Sequence, residues 1–185
     1  MKKILPRGIR NNNPLNIIIN PRNNWVGKVF ANTDGTFEQF KHIVYGIRAA
    51  IILIIKIITY LKRDEQVPAG VYNIVKRYAR ESEEITKNYA AAVSRGMGIG
   101  DDVELDINDK DSICSLVYEM AKFENGKAID MLDIRRAYNM ALGIRSDGNF
   151  DEPDRGSYVA DVGSAMVAEE DAEEPILAPM PNVFT

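Results

Sequence analysis

Five segments of the chain carry apolar residues in patterns that predict helices. They are residues 47–61, 68–80, 88–94, 112–123 and 129–142. The segment 47–61 is apolar nearly all round, so we expect it to be the central buried helix. Gly96, Gly98 and Gly100 predict a non-helical connector after the third of these helices, because glycine is a poor helix former.

Shorter alternating patterns precede the helices and predict strands. Residues 17–19 are expected to pair with residues 25–30 across a turn, and residues 36–40 follow the turn signal Asp34-Gly35 as a third strand. The predicted fold class is therefore mainly α (α+β), a helical domain with a small antiparallel β-hairpin lobe.

The pattern changes after Gly143, where sustained periodicity ends. Residues 1–146 carry 22 Lys/Arg and 17 Asp/Glu, a net charge of +5, whereas residues 147–185 carry 1 Arg and 10 Asp/Glu, a net charge of −9. We therefore predict one domain at 1–146 and an acidic, disordered or extended tail at 147–185. Within the tail, the apolar residues 176–180 suit a docking peptide, while the acidic composition suits a solubilising segment.

Composition excludes several functional classes. One cysteine (Cys114) and one histidine (His42) rule out a disulfide framework and argue against a zinc site, so no metal or cofactor is expected. The N-terminus lacks the apolar run of a secretory signal. The apolar residues 49–61 are too few for a membrane span, which needs about 20. The basic body suits an anionic polymer, but it lacks a basic helix with interleaved aromatics, so no nucleic-acid partner is expected.

The strongest candidate for chemistry is Glu124, which ends the helix at 112–123 just before Asn125-Gly126. A carboxylate at a helix C-terminus beside apolar neighbours is disfavoured, so its pKa is expected to rise. A carboxyl group with a raised pKa can act as a general acid at neutral pH. The alternative is an ordinary exposed glutamate beside a turn.

The run Arg-Gly-Ile-Arg-Asn-Asn-Asn-Pro at residues 7–14 is the second distinctive stretch. Together with Trp25, Tyr45 and the late Glu-Asn-Gly, it resembles small phage and prophage proteins that open with such a run. The same stretches are similar to bacterial glucosaminidases of the lysozyme superfamily, with the acid-bearing segment at the end of the domain. That order resembles a circular permutation, and it implies a lysozyme-like fold.

The resemblance implies roles for individual residues. Glu124 matches the general acid, and Tyr89 matches a tyrosine that lines the site. Asp34 and Glu38 are the candidates for a second carboxylate, in that order. Four further residues are candidate glycan contacts. They are Asn12, Asn13, Trp25 and Tyr45. Trp25 is equally compatible with the core of the lobe.

The expected function is a phage-associated enzyme that cleaves the glycan strands of peptidoglycan, as a hydrolase or as a lytic transglycosylase. Its expected partners are the bacterial wall and, through the tail, other virion proteins. We expect it in the virion, or in the host cytoplasm before release. The alternative is a non-enzymatic virion structural or wall-binding protein that keeps a lysozyme-like fold.

Overall fold

The computed structural model describes residues 5–64 and 66–144, and these residues form six α-helices. The helices are α1 (Arg7–Arg10), α2 (Ile43–Leu61), α3 (Val71–Ala79), α4 (Glu83–Met97), α5 (Lys110–Asn125) and α6 (Met131–Ala141). The protein is mainly helical, as predicted. The tail at 147–185, with its candidate docking segment 176–180, lies outside the described residues.

Helix α2 forms the centre of the fold and packs against α3, α5 and α6. It begins at Ile43, earlier than predicted, because His42 caps it: the Nδ1 atom accepts a hydrogen bond from the Val44 N–H at 3.2 Å. By length and apolar content α2 could cross a membrane, but 67% of its apolar window is buried inside the fold. Such burial is typical of a core helix.

Helices α4 and α5 begin at side-chain caps. Ser82 accepts a hydrogen bond from the Ile85 N–H at the start of α4, and the Asp109 carboxylate accepts two from backbone N–H groups at the start of α5. Helix α5 ends where predicted, at the Asn-Gly pair, since Gly126 takes the left-handed conformation with φ +60°.

The prediction of a non-helical Gly96 was wrong, because Gly96 lies inside α4. A Cβ atom at this position would collide with the carboxyl group of Glu119 on α5. Packing of α4 against α5 therefore holds Gly96 in the helix despite its poor helix propensity.

The predicted β-hairpin lobe is not formed as regular strands in the described residues. Two isolated antiparallel bridges join Ile18 to Phe37 and Lys28 to Phe40. Residues 17–19 and 25–30, which were predicted to pair with each other, each pair instead with the segment around residues 36–41. The strands stay short because side chains such as that of Asn13 bind the backbone groups that a longer ladder would use.

Candidate functional site

Glu124 lies on the last turn of α5 and faces inward. It is 6% exposed, among the few charged residues that the fold buries. A buried carboxylate needs hydrogen-bond donors or a positive partner, or it takes up a proton. The groups around its two oxygen atoms therefore decide its charge.

Two neutral side chains bind the Glu124 carboxyl group. The Asn16 amide donates to Oε2 at 2.8 Å, and the Tyr89 hydroxyl donates to Oε1 at 2.9 Å. Asn16 comes from the N-terminal loop and Tyr89 from α4, so the carboxyl group lies where these two parts of the molecule meet. Burial raises the pKa of the Tyr89 hydroxyl, which therefore remains protonated and able to donate.

Burial raises the pKa of Glu124 to about 7 from its usual 4.5. The hydrogen bonds from Asn16 and Tyr89 lower the pKa, since they stabilise the carboxylate, and the negative charge of Glu81 raises it. The raised pKa of Glu124 agrees with the sequence-based prediction, and burial is its leading cause. Near neutral pH the group is thus divided between acid and carboxylate.

The helical bundle fixes the loop that carries Asn16. The Asn125 amide donates to the Pro14 carbonyl at 2.7 Å, and the Tyr78 hydroxyl donates to the Leu15 carbonyl at 2.9 Å. Asn16 itself has φ +51°, in the left-handed region that asparagine tolerates better than most residues. These two hydrogen bonds fix the backbone just before Asn16. They thereby position the Asn16 amide against the Glu124 carboxyl group.

An aromatic pair supports the other side of the carboxyl group. The Phe123 and Tyr89 rings stack with centroids 4.1 Å apart and planes 11° from parallel. Tyr89 is fully buried, whereas Phe123 is partly exposed. The stack restricts the Tyr89 ring and hence the direction of its hydroxyl group.

Asp34, the first candidate for a second carboxylate, is held in an ion pair. Arg7 donates two hydrogen bonds to its carboxylate, at 2.6 and 2.8 Å, and Asn11 donates a third at 2.8 Å. The Arg7 guanidinium group holds the pKa of Asp34 well below its usual range. This arrangement makes Asp34 a structural anchor for the N-terminal loop.

Glu38, the second candidate, is fully buried. Its Oε1 atom accepts hydrogen bonds from Lys28 Nζ at 2.7 Å and from the Asn20 N–H at 3.3 Å. The carboxylate therefore has a cation and a backbone donor of its own. No hydrogen bond joins either Asp34 or Glu38 to Glu124 in the described part of the chain.

Asn12 and Asn13, predicted as glycan contacts, bind the protein backbone. Asn13 is fully buried, and its amide donates to the carbonyls of Ile17 and Glu38 and accepts from the Ile17 N–H. The Asn12 amide donates to the Phe40 carbonyl at 2.9 Å. These contacts leave Asn13 no surface for a ligand, so the structure assigns it to the architecture of the loop.

Trp25 and Tyr45 also take part in packing. Trp25 is 8% exposed and belongs to the core, which favours the core alternative over a sugar-stacking platform. Tyr45 is partly buried, and its ring lies so close to Gly27 (φ +73°) that a Cβ atom there would overlap it. Cys114 is buried in the core, as predicted.

Sequence analysis missed Asn16 and Tyr78, which prove to be central to the arrangement around Glu124. The signal for Asn16 was present in the asparagine-rich run, where a left-handed position was a reasonable expectation after Pro14-Leu15. Across residues 5–64 and 66–144, no group of three or more His, Cys, Asp or Glu side chains is arranged to hold a metal ion.

Comparison with known proteins places the chain among bacteriophage proteins. No protein-family model matches it. Over 125 residues it is 36% identical to Protein P5 of Pseudoalteromonas phage PM2, and the alignment covers 65% of this chain and 71% of that protein. The chain therefore belongs to the family of Protein P5.

Proposed function

We propose that this phage protein cleaves the glycan strands of bacterial peptidoglycan and that Glu124 is its general acid. The observation that carries the proposal is the buried carboxyl group of Glu124, which has a pKa of about 7 and is bound by two neutral donors. Raised carboxyl pKa values in buried, hydrogen-bonded settings are characteristic of general acids. The resemblance to lysozyme-superfamily glucosaminidases supplies the substrate class.

In the proposed reaction, protonated Glu124 donates its proton to the glycosidic oxygen as the bond to the sugar carbon breaks. Positive charge then develops on the sugar ring, and the newly formed Glu124 carboxylate stabilises that charge. Asn16 and Tyr89 stabilise that carboxylate, because each donates to one of its oxygen atoms. The two donors are thus in place before the charge forms.

The contacts of Asp34 and Glu38 favour a single-acid route. Each carboxylate already binds a cation of the protein, so neither is well suited to attack a sugar carbon or to activate water. In a lytic transglycosylase, a hydroxyl group of the sugar itself attacks, and the acid residue then accepts its proton. We therefore favour transglycosylase chemistry over hydrolysis, with the acid and base roles both on Glu124.

The test is digestion of purified peptidoglycan by the wild-type protein and by Glu124→Gln, with mass spectrometry of the soluble products. Removing a general acid typically lowers the rate about 10²–10⁴-fold. Glu104→Gln is the matched control, since Glu104 is exposed in the connector before α5. Anhydro-sugar ends identify the transglycosylase, and reducing ends identify a hydrolase. Equal cleavage by wild type and Glu124→Gln contradicts the assignment of the acid.

A second candidate function is a non-enzymatic virion structural or wall-binding protein. The low exposure of Glu124 and the structural ion pairs of Asp34 and Glu38 favour it. This candidate predicts that wild type and Glu124→Gln sediment equally with insoluble peptidoglycan and that neither releases fragments from walls of several bacterial species.

A further inference from the structure

Glu124 is covered in the folded protein, although a general acid has to reach its substrate. The side chain is 6% exposed, and a hydrogen bond occupies each carboxyl oxygen, from Tyr89 at Oε1 and from Asn16 at Oε2. Proton transfer requires the acid within about 2.6–3.2 Å of the atom that it protonates. A group that covers Glu124 must therefore move before a glycosidic oxygen can approach.

The neighbours of the carboxyl group differ in how freely they can move. Tyr89 is fully buried, and the backbone before Asn16 is fixed by hydrogen bonds from Asn125 and Tyr78. Phe123 lies on the last turn of α5 and is partly exposed. Rotation of a side chain at the surface is fast and requires no change of the backbone. Phe123 is therefore the neighbour that can uncover the site most readily.

The Phe123 ring covers one face of Tyr89. The ring centroids are 4.1 Å apart and the planes are 11° from parallel, and Phe123 is the ring that contacts solvent. The packing of α4 on α5 does not depend on this stack alone, since the helices also approach closely where Gly96 faces Glu119. Rotation of Phe123 would thus uncover a flat aromatic face beside Glu124 without separating the helices.

A sugar ring suits the space that the Phe123 ring occupies. The face of an aromatic ring carries partial negative charge, whereas the C–H groups on one face of a pyranose ring are weakly positive. A pyranose is also a six-membered ring, so it can stack parallel to the Tyr89 ring at a similar spacing. Because the Tyr89 hydroxyl group binds Glu124, a sugar in this position would lie beside the carboxyl group.

We propose that Phe123 is a gate that occupies a sugar-binding position: the glycan displaces its ring and stacks on Tyr89, which brings a glycosidic oxygen to Glu124. The inference rests on the function proposed above, since it names the position through which the glycan reaches the acid. It gives Phe123 no part in the chemistry. Truncation of Phe123 should therefore open the site and strengthen glycan binding, whereas a stack that only supports Tyr89 predicts weaker binding.

The first measurement is the rate at which a carbodiimide and glycine ethyl ester label Glu124 in the full-length protein, determined by peptide mass spectrometry. The exposed Glu104 is the internal reference. The variants are Phe123→Ala, Phe123→Leu, which lacks the flat ring, and Phe123→Tyr, which keeps the stack. Tyr118→Ala removes a partly buried ring elsewhere on α5 and is the matched control. Thermal unfolding checks that each variant is folded.

Relative to Glu104, Glu124 should be labelled about two- to tenfold faster in Phe123→Ala and Phe123→Leu than in wild type, as expected for loss of one aromatic stack from the closed state. Phe123→Tyr and Tyr118→Ala should show the wild-type rate. Unchanged labelling in Phe123→Ala overturns the inference, and Phe123→Leu decides the outcome if the alanine variant is not folded. An equal acceleration in Tyr118→Ala also overturns it.

The second measurement is calorimetric titration with glycan strands freed of their peptides by an amidase. All proteins in this titration also carry Glu124→Gln, so that the strands are not cleaved. Phe123→Ala is expected to bind the strands about two- to tenfold more tightly than Phe123→Tyr, because no ring has to be displaced. Equal binding, weaker binding or no binding by Phe123→Ala overturns the inference.

The gate and the enzyme fail in different ways. Faster labelling and tighter binding in Phe123→Ala, without release of fragments from peptidoglycan by the wild type, refute the enzyme and support the sugar-binding position. Cleavage by the wild type, with labelling and binding unchanged in Phe123→Ala, refutes the gate and supports the enzyme.

Discussion

The N-terminal region at residues 5–42 and the bundle formed by α2–α6 are stabilised by different kinds of contact. In the bundle, side chains such as Ile54 and Val117 are fully buried among other apolar groups. In the N-terminal region, Asn12 and Asn13 bind backbone carbonyls, and the Arg7–Asp34 pair links α1 to the turn that contains Asp34. Dispersed apolar contacts tolerate small shifts, whereas hydrogen bonds depend on direction.

This difference changes the interpretation of the asparagine-rich run. A stretch with so many amides is attractive as a ligand site, but the amides of Asn12 and Asn13 replace backbone hydrogen bonds that a sheet or helix would supply. The other two amides bind carboxyl groups, that of Asn11 on Asp34 and that of Asn16 on Glu124. The run therefore forms a loop that positions the Asn16 amide against the Glu124 carboxyl group.

The largest expected loss of stability comes from the bundle. Ile54→Ala should lower the free energy of unfolding by about 4 kcal/mol, since Ile54 is fully buried in the central helix and its truncation leaves a cavity. Chemical denaturation monitored by circular dichroism measures the change. Ile85→Ala, at a 38% exposed position on α4, is the control and should change stability by less than about 0.5 kcal/mol.

Asn13→Ala should cost nearly as much, about 3 kcal/mol, because it removes three hydrogen bonds and leaves buried backbone groups without partners. The exposed Asn24 provides the control as Asn24→Ala, for which no measurable change is expected. A cost below about 1 kcal/mol for Asn13→Ala would show that the loop does not depend on directional contacts and would remove the contrast between the two regions.

Glu124 lies where the two regions meet, and its titration is expected to make stability depend on pH. The folded-state pKa of about 7 lies above the usual value of 4.5, so the folded protein binds the proton more tightly than the unfolded chain. The stability due to this difference is present below about pH 4.5 and is lost as pH rises through 7. Relative to wild type, Glu124→Gln should therefore gain about 3 kcal/mol in unfolding free energy between pH 4 and pH 8.

The measurement is the free energy of unfolding of both proteins at several pH values. Glu104→Gln is again the matched control and should follow the wild-type curve. Parallel curves for wild type and Glu124→Gln would mean that the Glu124 carboxyl group titrates normally, and the argument for a general acid would lose its physical basis.

The sequence predicted the positions of α2, α3, α5 and α6, only part of α4 and only part of the site, for a physical reason. The apolar periodicity of α2 and α5 is a local property, so it could be detected without knowledge of the fold. The bond between Asn16 and Glu124 joins residues 108 positions apart, and no local pattern specifies such a contact. The same limitation applies to Asp34 and Glu38, whose cationic partners in space were not apparent from the sequence.

The predicted strands illustrate a second limit. Alternation did not indicate which segments pair, and it did not hold at residues 37 and 38, which are both buried. Backbone pairing here competes with the side-chain amide of Asn13, which binds carbonyls of both segments. Local propensity for a strand was thus overridden by a polar contact made within the loop.

The smallest expected effect concerns the ion pair between Arg7 and Asp34, which tests whether charge adds to the directional contacts of the N-terminal region. Asp34→Asn should cost about 1 kcal/mol at pH 7, because Arg7 is 37% exposed and solvent weakens the pair.

The pKa of Asp34 is lowered in the folded state, so the stability that it contributes is present above its usual pKa and is lost as pH falls below it. The difference between variant and wild type should accordingly shrink below about pH 4, whereas Asp102→Asn, at an exposed position, should show no such dependence. A difference that persists unchanged at low pH would mean that Asp34 acts through its hydrogen bonds alone, and the N-terminal region would then be held without any contribution from charge.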